Sequence, residues 1–164
     1  MVEVTQALAF MEQQYAQFVA LAHDGRTPYR WQFRLMRYVA QEGRWPDRIS
    51  VPTASGKTSV IDIHVFLNAM VGLAEGESRK EHEILSCLPL RRIPRRLALT
   101  VNRRSLVDDQ FDEADELCGK IRTSDSMIHY KEGLKLRAGV HDGLPHTDKP
   151  SVMNVVELRG GIAS

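Results

Sequence analysis

Apolar positions near the start of the chain recur by threes and fours. Val4, Leu8, Met11, Tyr15, Phe18 and Ala22 form one stripe, which predicts an amphipathic helix ending at His23-Asp24-Gly25. Trp31, Leu35, Tyr38 and Val39 share a face and predict a second helix from about Arg30 to Gln41, closed by Gly43 and Pro46. Arg48-Ile49-Ser50-Val51 then reads as a short strand. Val60, Ile61, Val65, Phe66 and Leu67 return to helical spacing from Lys57 onward.

Farther along, residues 72–95 carry Gly, charges, Pro89 and Pro94, and read as a surface connection with one helical turn around Ile84–Leu88. Arg96-Leu97-Ala98-Leu99-Thr100-Val101 predicts a second strand. Leu106, Val107, Phe111, Ala114, Leu117, Cys118 and Ile121 trace another amphipathic helix. Residues 123–150 are polar and read as loop around one or two short strands, and Val152–Leu158 predicts a last strand. Strands alternating with helices imply an α/β fold with a mainly parallel sheet flanked by helices, preceded by the N-terminal helix. Residues 1–27 would hold that helix and residues 28–164 the remaining layered domain.

Composition narrows the classes. At 164 residues, with 43% hydrophobic and 26% charged, the chain has enough apolar material for one packed core and is not a disordered tail. A net charge of +1 provides no global field for a polyanion, so nucleic-acid binding must rest on local patches. Cys87 and Cys118 have no metal-ligand spacing and read as reduced, buried thiols, which suits the cytoplasm. No apolar run approaches membrane-spanning length, and the expectation is a cytoplasmic protein with no membrane partner.

The candidate chemistry centres on Val51-Pro52-Thr53-Ala54-Ser55-Gly56-Lys57-Thr58-Ser59. Gly56-Lys57-Thr58 supplies what a nucleoside triphosphate needs: backbone N–H groups around the phosphates, an ammonium for the outer phosphates and a hydroxyl for magnesium. The cofactors implied are ATP and Mg2+. Thr53, Ala54, Ser55, Gly56, Lys57, Thr58 and Ser59 form the cradle, with Lys57 and Thr58 as its catalytic groups and Thr58 on the metal. Val51 stands where the strict phosphate-loop pattern has glycine. Upstream, Gln32 has the donor and acceptor pair that reads an adenine edge, with Tyr29 or Trp31 able to stack on the base. Downstream, Asn102-Arg103-Arg104 and Gly160-Gly161 follow predicted strands, where guanidinium groups and close backbone approach suit a phosphodiester chain.

In that order these motifs resemble the first RecA-like lobe of a superfamily 2 (DEAD/DEAH-like) helicase. The segments Val51–Phe66 and Arg95–Ala114 look most like the CRISPR-associated type I helicase–nuclease, a component of antiviral defence. The resemblance covers about residues 28–161. It implies that Gln32 recognises adenine, that Ser55, Gly56, Lys57 and Thr58 hold ATP and magnesium, and that Asn102, Arg103, Arg104, Gly160 and Gly161 touch single-stranded DNA. The parent protein would translocate on DNA exposed by the CRISPR targeting complex. Ala54 departs from the family's Pro-Thr-Gly-Ser-Gly-Lys-Thr, and alanine tolerates positive φ poorly.

Asp112-Glu113-Ala114-Asp115 spells the helicase acidic box. The residues before it, Val107-Asp108-Asp109-Gln110-Phe111, have a helical period, and two adjacent carboxylates do not suit a buried strand. It therefore reads as an exposed helix face. Without that box and a second lobe with its arginine finger, the chain is expected to be an N-terminal helicase fragment that is inactive alone. His141, Asp142, His146 and Asp148 crowd one loop and read as solvated residues rather than a metal nuclease. A complete small phosphate-loop kinase or ATPase, with Glu157 as its acidic strand end, and a non-catalytic nucleic-acid-binding module stay open beside the helicase reading.

Overall fold

The computed structural model describes residues 3–51, 59–76, 79–100, 103–139, 153, 155 and 156. Its helices are α1 (Val4–Ala22), α2 (Arg30–Glu42), α3 (Val60–Ala74), α4 (Lys80–Leu85), α5 (Arg104–Thr123) and α6 (Ile128–Ala138). Single 3-10 turns fall at Leu90–Arg92 and Asp125–Met127.

α1 buries Leu8, Met11, Tyr15, Phe18 and Ala22 of the stripe its period predicts, whereas Val4 at its first position is exposed. α2 turns Leu35, Met36, Val39 and Ala40 inward together with Gln32. α3 is the central element. Every residue from Ile61 to Leu73 is buried, because apolar side chains surround this helix instead of lining one face. Its neighbours contribute rings to one cluster. Tyr15 and Phe18 of α1 lie 5.2 and 5.7 Å from Phe66 of α3, and Tyr130 of α6 meets Phe18 edge-on at 5.1 Å.

The α3–α6 crossing is made by two glycines. A Cβ on Gly72 would overlap the carbonyl of Gly133, and one on Gly133 would overlap the carbonyl of Ala69. Arg137, one turn beyond Gly133, is buried and fully engaged. Its guanidinium donates to Asn68 Oδ1 (3.2 Å), Glu75 Oε1 (3.3 Å) and the Ile93 carbonyl (2.7 Å). Asn68 Nδ2 donates to the carbonyls of His64 and Pro94, at 3.0 and 3.1 Å. This network satisfies the side-chain amide of Asn68 and fastens the 93–94 backbone against α3.

The predicted parallel sheet is not there. Among the described residues no strand forms, and the α/β, RecA-like layered fold is replaced by a helical domain. Residues 48–51 and 96–100 run without helical or strand structure, and neither is covered as a parallel strand must be. Ile49 is 38% exposed and Leu99 41%. Of the predicted last strand only residues 153, 155 and 156 are described, with Val156 73% exposed and no ladder. The reason is that a strand needs a partner beside it as well as β-branched residues within it. The segment between α3 and α5 is likewise no mere surface connection, since Leu85, Leu88, Leu90 and Ile93 are buried in the core. Residues 128–138, read as loop and strand, form α6.

Candidate nucleotide site

The chain enters α3 at Ser59, the last residue of the predicted phosphate loop. Thr53, Ala54, Ser55, Gly56, Lys57 and Thr58 lie outside the described residues, as do Asn102, Gly160 and Gly161 and the His141–Asp148 group. The described part of the site is therefore its rim: Ser59, Gln32 and the walls around them.

Gln32 occupies the third position of α2 and is 4% exposed. Its side-chain carbonyl accepts the backbone N–H of Tyr29 at 2.8 Å, and its amide donates to Ser59 Oγ at 2.6 Å. A glutamine amide has two N–H groups and two oxygen lone pairs, and these partners take one of each. Gln32 thus ties the start of α2 to the start of α3 across 27 residues of sequence. Tyr29 is exposed and Trp31 half-buried.

A cleft of about 310 Å³ opens beside Ser59, with His23, Arg26, Asp62, Glu113 and Lys120 among its walls. Asp62 stands in the first turn of α3 and is largely buried. His23, which closes α1, meets it with Nε2 2.7 Å from Asp62 Oδ2. That hydrogen bond raises the His23 pKa above its ordinary value, while burial and the charges of Arg26 and Lys120 work against it. Lys120 of α5 donates to the Ala22 carbonyl at 2.6 Å, placing a cation on the last turn of α1, where the helix dipole favours one. His23, Asp62 and Lys120 converge from three helices, and sequence reasoning missed them. The available signal was Asp62 itself, a carboxylate set among Val60, Ile61 and Ile63.

Arg103 caps α5, and its carbonyl accepts the N–H groups of Leu106 and Val107 at 3.1 and 3.2 Å. Arg104 begins the helix, its side chain outside the described part. Both stand at the positive end of a twenty-residue helix rather than at a strand tip. Asp112, Glu113 and Asp115 are exposed along the same helix, with only Ala114 turned inward. The acidic tetrapeptide is a solvated helix face, as its period predicts. Cys118 is buried, its thiol donating to the Met153 carbonyl at 3.2 Å, whereas Cys87 is exposed; both are free. No group of three or more potential metal ligands occurs among the described residues, and no helix there is long and apolar enough to cross a membrane.

No known protein family, curated protein or solved structure matches the chain.

Proposed function

We propose that the chain binds ATP with magnesium at Val51–Ser59 and supplies the nucleotide-binding motifs of a DNA helicase of the CRISPR-associated helicase–nuclease kind, acting in the cytoplasm. The observation that carries this reading is the 2.6 Å hydrogen bond between Gln32 and Ser59. It joins the residue whose amide suits adenine to the residue that ends the phosphate loop. Two motifs 27 positions apart thereby become one rim, on a helical frame. Lys57 and Thr58 would hold the outer phosphates and the metal, with Thr53, Ala54, Ser55 and Gly56 completing the backbone cradle. Arg103 and Arg104, at the dipole-positive end of α5, would meet the phosphodiester backbone of single-stranded DNA together with Asn102, Gly160 and Gly161.

Turnover by the chain alone is expected to be undetectable. The acidic tetrapeptide lies along a solvated helix face, which does not aim a carboxylate at magnesium as phosphoryl transfer requires. The reading is tested by titrating a fluorescent ATP analogue with Mg2+ into the wild type and Lys57→Ala. Loss of a charge-assisted phosphate contact should weaken binding by about tenfold or more. Equal binding by both proteins would remove the loop from the site.

A second reading, a nucleic-acid-binding module without nucleotide, is favoured by the position of Arg103 at a helix N-terminus. It predicts DNA binding that is insensitive to both ATP and Lys57→Ala.

A further inference from the structure

The outer face of α2 carries a basic stripe that the nucleotide reading does not use. Arg30, Arg34 and Arg37 are all exposed and fall within one narrow arc of the helix, about 6 and then 4.5 Å apart along its axis. With Phe33 and Glu12 of α1 they line a concavity of about 540 Å³. Phe33 is its apolar lining residue, edge-on to Tyr15 at 5.7 Å, and Tyr38 is exposed beside the stripe. Arg37 pairs with Glu12 at 3.0 Å, whereas neither Arg30 nor Arg34 forms an ion pair among the described residues.

The placement of these charges runs against helix stability. The first turn of α2 has no acidic residue and begins with Arg30, while Glu42 closes the helix. Cations at the N-terminus and an anion at the C-terminus oppose the macrodipole at both ends. An anionic ligand on the N-terminal half reverses that penalty, since the dipole and the guanidinium groups then act on it together. Guanidinium forks fit phosphodiester oxygens, and aromatic side chains among them offer faces on which unpaired bases stack. An acidic peptide would satisfy the arginines but leave the rings unused.

We propose that the outer face of α2 is a binding surface for single-stranded nucleic acid, with Arg30, Arg34 and Arg37 on the phosphates and Phe33 and Tyr38 against the bases. The surface uses neither Gln32 and Ser59 nor Arg103, and needs no nucleotide.

The test is fluorescence anisotropy of a fluorescein-labelled oligodeoxythymidylate of about twenty nucleotides, titrated without ATP at several salt concentrations. Wild-type protein should bind, and the Arg30→Ala/Arg34→Ala variant should bind at least about tenfold more weakly. Its dependence of log K on log salt should be shallower by about 1.4, because each single-strand phosphate contact contributes about 0.7. Phe33→Leu should weaken binding about fivefold or more at unchanged slope. Glu12→Gln, which frees Arg37, should tighten it, and supplies a gain-of-binding readout if a loss variant proves unstable. Absence of binding, an unchanged slope in the double arginine variant, or equal affinity for a polyglutamate peptide of matched charge would each overturn the proposal. Measured without nucleotide, such a failure is distinct from a failure to bind ATP.

Discussion

Gly72 of α3 and Gly133 of α6 face each other with no room for a methyl group between their backbones. At both positions a Cβ would meet backbone carbonyl atoms, which cannot rotate away as a side chain can. Gly72→Ala and Gly133→Ala should therefore each destabilise the protein by about 3 kcal/mol or more, at the upper end of overpacking costs. Gly119, inside α5 with nothing within 4 Å of where a Cβ would stand, is the control. Gly119→Ala should stabilise by roughly 0.5–1 kcal/mol through helix propensity. Urea denaturation followed by circular dichroism checks all three, and equal effects at the three glycines would contradict the close crossing.

Those glycines also mark where sequence reading stops. α1 and α5 are legible because one apolar stripe faces one core. α3 is legible as a helix, and apolar side chains on all its sides foreshadow its burial. The residues that cover it come from elsewhere in the chain and are not legible from its own run. α6 leaves no periodic trace because the positions it buries include Gly133 and Arg137 beside Tyr130 and Leu134. Glycine packs there by being small and arginine by finding partners, and neither contributes to an apolar period. The expected sheet rests on Arg48–Val51, Arg96–Val101 and Val152–Leu158, each read by itself, whereas pairing is a property of two runs together. Beside the candidate site, the His23–Asp62 contact spans 39 positions and has no local signature.

His23 and His64 should shift stability with pH in opposite directions. The Asp62 hydrogen bond raises the His23 pKa in the folded state. Its contribution is therefore fully present below the unfolded value of about 6.5 and is lost as pH rises through the folded value. Burial lowers the pKa of His64, whose Nε2 lies 3.3 Å from the Arg95 carbonyl. Its contribution is present above about 6.5 and is lost as pH falls through the folded value. The stability difference between wild type and His23→Gln should shrink from about pH 5.5 to about pH 8.5. That between wild type and His64→Gln should grow over the same range. Parallel denaturant titrations give both, and a pH-independent His23 difference would mean that the pair does not form.

Arg137 should matter far more than the exposed Arg37. Replacing Arg137 by Met leaves Asn68 Oδ1 and the Ile93 carbonyl without their donor in a buried setting, and should cost about 2–4 kcal/mol. The Glu75 arm adds less, being a third exposed. Arg37→Met removes a solvated pair with Glu12 and should cost no more than about 0.5 kcal/mol. A cycle of Arg137→Met with Asn68→Ala should show coupling of about 1 kcal/mol or more, because both belong to one network. Additive losses would mean that the two side chains act separately.

The Gln32–Ser59 contact makes a prediction that separates structural from ligand roles. Gln32 holds both the Tyr29 N–H and the Ser59 hydroxyl, so Gln32→Leu strands a backbone donor and should destabilise by about 1–3 kcal/mol. Ser59→Ala removes one hydrogen bond and should cost about 1 kcal/mol. The double variant should lose less than the sum, since the bond between them can be broken only once. If Gln32 also contacts the base, Gln32→Leu should weaken ATP more than a nucleotide lacking the adenine amino group, whereas Ser59→Ala should affect the two alike. If the glutamine only braces α2 against α3, both variants should weaken both nucleotides in the same ratio. Binding titrations with ATP and its inosine counterpart, done at temperatures where each variant is fully folded, decide between these outcomes.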